Sequence, residues 1–144
     1  MGPIGDEIAR LLTVSNSSID YQKLDAEITA MVNDAIVKPY PPTDDFGPRN
    51  RWQFYSVDGK HFLGSEHRIT ILSYSTNLVA AMSLLKKYLP QPWEITIYKT
   101  YDDLFWQVTL DVGKKSDPYR KTYRNWHEEL PMAVVKTFFD AIKE

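Results

Sequence analysis

The chain of 144 residues contains no cysteine, only 6 glycines and no long apolar run. The missing cysteines exclude disulfide bonds, thiolate metal sites and a cysteine nucleophile. The glycines do not form the close spacing of a P-loop or of a dinucleotide-binding fingerprint. No apolar stretch approaches the roughly 20 residues of a membrane helix. We therefore expect neither a nucleotide enzyme of these two classes nor a membrane-spanning protein.

Excess charge of either sign is also missing. The net charge is -2, which lacks the basic excess that duplex DNA binding usually shows. The first residues include Asp6, Glu7 and Arg10, unlike a secretory signal. These properties predict a cytoplasmic protein that binds no membrane and no duplex nucleic acid.

Apolar residues, by contrast, are plentiful. They make up 43% of the chain, and aromatic residues make up 13%, enough for one core in a protein of this size. We expect a single domain over 1–144, in which 1–14 form an accessory N-terminal helix and 18–143 form the core. The spacing leaves open whether this first helix docks on the domain, contacts another subunit or frays.

The second half of the chain has a clean periodicity. Apolar residues recur at steps of three and four from Leu78 to Leu89, and Pro90 then ends this helix. Residues 93–98 and 104–112 alternate between apolar and polar, which is typical of an antiparallel hairpin. A second amphipathic helix follows Pro131. The pattern predicts an α+β fold, with an antiparallel sheet of about four strands layered between helices as an α-β-α sandwich.

The first half is less regular. A helix is indicated from Tyr21 to Val32, with Ser18 or Asp20 as its N-cap, and proline-rich residues 38–50 indicate a long loop. Residues 52–57 and 61–63 flank Asp58-Gly59, a strong hairpin turn. Residues 69–72 either add a strand or lead into the next helix.

The sequence also contains no recognised catalytic motif. His61 and His67 lie six residues apart, without a recognised metal-ligand spacing. The adjacent acid pairs suit turns and helix ends, because neighbouring residues do not face each other on a strand or helix. No nucleophile-elbow sequence occurs. We predict no catalytic residue, no metal, no cofactor and no enzymatic activity; a small nucleotide hydrolase, in which the histidines meet acids, stays an alternative.

Two basic and aromatic groups are the candidates for ligand binding. Arginine forks match phosphate oxygens, and aromatic faces stack on bases. The simpler interpretation is a solvated loop whose rings pack on the sheet while the charges stay in water. If the groups converge, they form a pocket for a phosphorylated aromatic ligand. The first group is Arg49, Arg51, Trp52, Tyr55, Lys60, His61 and Arg68, and the second is Tyr119, Arg120, Tyr123, Arg124 and Trp126, preceded by Lys114 and Lys115.

Four short segments carry a resemblance to a known family. They are residues 24–28, residues 74–78, Trp93 at the start of a strand and residues 130–133 at the start of the last helix. Over about residues 20–143 the chain resembles the phage ABA sandwich domain, found in small proteins of phages and prophages. The resemblance implies a phage accessory protein and transfers no catalytic residue.

These observations lead to one functional hypothesis and two alternatives. We expect a phage-encoded, non-enzymatic binding protein in the cytoplasm of an infected bacterium. Its most concrete form is an anti-defence sponge that sequesters a host nucleotide immune signal, such as a cyclic nucleotide or an ADP-ribose derivative. A protein-binding inhibitor or assembly factor using residues 40–46 is one alternative, and the hydrolase is the other. A homodimer or higher homo-oligomer suits all three, because an open antiparallel sheet leaves edges to be paired.

Overall fold

The fold is described by a computed structural model over residues 3–13, 20–39, 52–66 and 68–143. Within these ranges the chain forms four helices and six strands. It divides into two compact units, Met1–Leu72 and Ser73–Glu144. None of the helices in these ranges is long and apolar enough to cross a membrane.

The first unit begins with two packed helices. Helix α1 spans Pro3–Thr13 and α2 spans Tyr21–Val32. The Asp20 carboxylate caps α2 by accepting a hydrogen bond from the Lys23 N–H at 3.1 Å. Helix α1 packs against α2, and its residues Ile8 and Leu11 are buried. The N-terminal helix is therefore part of the packed structure of this unit.

A three-stranded antiparallel sheet completes the first unit. Strands β1 (Ala35–Pro39), β2 (Trp52–Ser56) and β3 (Phe62–Ser65) lie in the order β1-β2-β3. Phe54 and Trp52 on β2 are buried with Ala26 and Ala30 of α2. The predicted Asp58-Gly59 turn is confirmed, since Gly59 has a φ of 76° and its N–H donates to the Ser56 carbonyl at 2.7 Å.

In the second unit, the three strands of the sheet lie between two helices along the chain. Helix α3 spans Leu78–Tyr88 and α4 spans Leu130–Lys143. Between them run β4 (Trp93–Lys99), β5 (Trp106–Val112) and β6 (Lys121–His127), antiparallel in the order β4-β5-β6. Helix α4 packs on β5 and β6, while α3 packs on α4. This arrangement covers one face of the sheet with α4.

The α+β class and the N-terminal helix are confirmed. Instead of one sheet of about four strands, the described residues form two sheets of three strands each. The additional strands β1 and β6, which the periodicity does not indicate, each pair with a predicted strand. Residues 69–72 form no strand and lead toward α3. The single domain over 1–144 stays a prediction.

Candidate functional site

The second sheet has two chemically different faces. Partners in the antiparallel register place their side chains on the same side. Val108 and Leu110 are fully buried, and Asn125, opposite Val108, donates from Nδ2 to Oδ2 of Asp140 on α4 at 2.7 Å. This side therefore faces α4. The other side, called the polar face below, carries three rows across β4, β5 and β6: Tyr98, Gln107 and Trp126; Thr96, Thr109 and Arg124; Glu94, Asp111 and Thr122.

The first row combines two rings with an amide. Tyr98 and Trp126 are 46% and 51% exposed, whereas Gln107 between them is only 8% exposed. Strands lie about 4.8 Å apart, so the two ring-bearing edge strands are separated by about 10 Å. Among the described residues, the Gln107 side chain has no hydrogen-bonding partner. The row is a shallow trough with aromatic walls and an amide floor.

The second row places a cation over the central strand. Arg124 donates from Nε to the Thr109 hydroxyl at 3.2 Å, which draws the guanidinium from β6 toward β5. Within the described residues Arg124 forms no ion pair. Its positive charge therefore has no acidic partner among the described residues, and it lies next to the aromatic row.

The third row is neutralised. Arg120 contacts Oε2 of Glu94 at 3.1 Å and Oδ2 of Asp111 at 3.6 Å, both from Nη2. Lys115 lies 3.8 Å from the other oxygen of Glu94, and Thr122 donates to Asp111 at 2.5 Å. The two acids at this end consequently have basic partners, and Arg120 is committed to them.

The structure separates the second predicted group. Arg124 and Trp126 lie together on the polar face, and Arg120 is paired with acids. Tyr123 lies opposite Leu110, on the side that faces α4. Tyr119 is 85% exposed in the β5–β6 loop. The convergence within this group is therefore limited to two residues.

The sequence pattern does not single out Tyr98, Gln107 and Thr109 as site residues. The alternation of β4 and β5 does place them on the polar side of the hairpin. Their proximity to Arg124 and Trp126 depends on β6, which reads as a basic insert because its alternate positions include Asn125 and His127 rather than apolar residues. The pairing of β5 with β6 brings these residues together, and the sequence pattern does not contain that information.

The first predicted group surrounds the β2–β3 hairpin. Trp52 packs in the core of the first unit. Tyr55 lies on the opposite side of β2, where its hydroxyl donates to Oε1 of Gln53 at 3.1 Å and its ring meets that of Phe62 at 5.5 Å between centroids. The Lys38 Nζ lies 5.0 Å above the Tyr55 ring. Tyr55 is thus already occupied by local contacts.

The remaining members of this group are exposed or not described. Lys60, His61 and Arg68 are exposed. Arg49 and Arg51 lie outside the described residues, as do His67 and the 40–46 segment. Since the two groups belong to different units, their convergence stays a prediction.

His127 lies in a buried, hydrogen-bonded environment. It is 2% exposed, and its Nδ1 accepts from the Glu129 N–H at 2.8 Å. Burial, followed by the charge of Lys136, lowers the pKa of His127, so that the neutral imidazole is favoured. The described residues contain no group of three or more side chains suited to holding a metal ion.

The first unit contains a carboxyl group with an unusual pKa. Burial raises the pKa of Glu27 on α2 to about 7, and the negative charge of Glu7 on α1 adds to the effect. Glu7 itself accepts from Arg10 at 2.6 Å and contacts the Lys23 Nζ at 2.9 Å. These hydrogen bonds, that from Arg10 first, lower the pKa of Glu7 to about 2. We therefore expect the stability of this unit to depend on pH.

Comparisons with protein-family models, curated proteins and solved structures each found no match. The resemblance to the phage ABA sandwich domain stays a prediction.

Proposed function

We propose that the chain is a binding protein for a small phosphorylated ligand that carries a base, and that it holds this ligand on the polar face. The observation that carries the proposal is that Arg124 and Trp126 are neighbours on the same side of β6. They are two residues apart on β6, so their side chains leave the same side about 7 Å apart. This spacing is of the order of the distance from a base to its phosphate.

The chemistry of the two side chains is complementary to such a ligand. A half-exposed indole offers a flat surface for stacking, which is worth about 1–3 kcal/mol per base. A guanidinium binds phosphate oxygens with charge-assisted hydrogen bonds. Because Arg124 has no carboxylate partner among the described residues, no ion pair has to break before phosphate binds.

The proposal contains no chemical step. In it, the arrangement holds a ligand by stacking and charge. Its biological form is the one expected from the sequence: sequestration of a host nucleotide immune signal by a phage-encoded sponge in an infected bacterium.

Calorimetric titration tests the proposal. The panel consists of cyclic dinucleotides, cyclic trinucleotides and ADP-ribose derivatives. We expect one class to bind, and Arg124→Gln and Trp126→Ala each to weaken it at least tenfold. The matched controls are Lys114→Gln and Tyr119→Ala, which remove the same charge and a similar exposed ring from the β5–β6 loop.

The outcomes are distinct. The ligand should be recovered intact after heat denaturation of the complex, whereas conversion would identify an enzyme. Equal affinity in the Arg124 variant and its Lys114 control would contradict the assigned site.

A further inference from the structure

We infer that the ligand of the polar face carries two bases joined by a phosphodiester. The inference rests on the proposed function and specifies its ligand class. The chemistry is shared by linear and cyclic dinucleotides, which the experiment below separates.

The spacing of the two rings is the first argument. Tyr98 and Trp126 stand on the outer strands of the same row, about 10 Å apart. One base stacked on either ring leaves the other ring uncovered. Two bases splayed apart cover both rings, and each stacking contact contributes to affinity.

The floor of the trough is the second argument. Gln107 lies between the rings and is more than nine-tenths buried, and its amide has no partner within the described part of the chain. Its amide atoms are not among the fully buried polar atoms that lack a partner, so they are open to solvent, and an amide both donates and accepts hydrogen bonds. Base edges that converge on the centre of the row supply the complementary groups.

The position of the cation is the third argument. The hydrogen bond to Thr109 holds the Arg124 guanidinium over the central strand, one row from Gln107. A phosphate that links bases on the two outer strands passes over this central strand. Arg124 is therefore placed to bind the linking phosphate rather than a terminal one at the sheet edge.

Arg124 is the one cation without an acidic partner on the polar face of the described sheet, and this also limits the number of nucleotides in the ligand. Glu94 and Asp111 occupy the next row with Arg120, which leaves no second free cation on the polar face of the described sheet. Affinity should therefore rise from one nucleotide to two and change little with further nucleotides.

A length series with adenine nucleotides tests the inference. Titrations use adenosine monophosphate, linear diadenylate, cyclic diadenylate and linear tetraadenylate as probes. We expect the tighter of the two diadenylates to bind at least tenfold more tightly than the monophosphate, and tetraadenylate to bind within threefold of the linear diadenylate. Whichever diadenylate binds more tightly identifies the source of the ligand.

Variants of Tyr98 give the second readout. Tyr98→Ala should weaken diadenylate binding at least tenfold and leave monophosphate binding unchanged, while Tyr98→Phe should retain both. Tyr101→Ala, which removes a fully exposed ring from the β4–β5 loop, is the matched control. Circular dichroism confirms that each variant is folded.

Two failures are distinguishable. Equal affinity for monophosphate and both diadenylates, with dependence on Arg124, overturns the two-base inference and supports the proposed function. If no probe and no member of the earlier panel binds, both are overturned.

Discussion

Replacing Glu27 with glutamine should stabilise the protein above neutral pH, and much less in mild acid. The folded protein holds this carboxyl with a pKa of about 7, against an ordinary value of 4.5. Below 4.5 the group is protonated in both the folded and the unfolded state, so it costs nothing. As pH rises from 4.5 to 7, the unfolded chain ionises first, and the folded state loses stability.

The size of the effect follows from the pKa. A rise from 4.5 to about 7 corresponds to at most roughly 3–4 kcal/mol. Partial access of solvent to the carboxylate screens the penalty, so we expect a gain of roughly 1–2 kcal/mol for Glu27→Gln at about pH 8. At about pH 5 the gain should be a small fraction of this.

Urea unfolding followed by far-UV circular dichroism measures both values. The variant must be compared with the parent at each pH, because His127 acts in the opposite direction. Its pKa is lowered by burial, so its contribution to stability is lost as pH falls below 6.5. The difference between variant and parent cancels this contribution. The same difference at both pH values would refute a titrating Glu27.

Two smaller perturbations test local structure. Asn77 caps α3 by accepting from the Ala80 N–H at 3.1 Å, so Asn77→Ala should lower the free energy of unfolding by about 1 kcal/mol, while Asn77→Asp keeps the cap; equal losses in urea unfolding would count against the cap. Gly64 has a φ of 148°, and an added Cβ would lie 2.9 Å from the Cβ of Arg68. Gly64→Ala should therefore lower the melting temperature, with a loss of about 1–3 kcal/mol, and an unchanged melting temperature would contradict this conformation.

The sequence predicts much of the fold where burial imposes a period. Helices α3 and α4 and the β4–β5 hairpin follow directly from apolar spacing, because each presents one face to a core. Strand β6 carries Tyr123 and His127 on its helix-facing side among polar neighbours, and it is a strand because β5 pairs with it along its whole length. Such pairing is a tertiary property that no local pattern of β6 contains.

The candidate site was predictable only in part, for the same reason. Composition singled out Arg124 and Trp126, but it could not distinguish Arg124 from Arg120, which ion pairs neutralise. That distinction depends on Glu94, 26 residues earlier in the chain. Tyr98 and Gln107 join the site only once the register of both strand pairs is known.

The hydrogen bond between Arg124 and Thr109 has a consequence for the affinity of binding. An arginine side chain that a ligand must immobilise costs about 0.5–1.5 kcal/mol of entropy on association. Here folding has already paid part of that cost, since the guanidinium is held over the central strand before any ligand arrives. Thr109→Val, which keeps the shape of the side chain and removes its acceptor, should therefore leave the face intact but weaken its affinity for the anion.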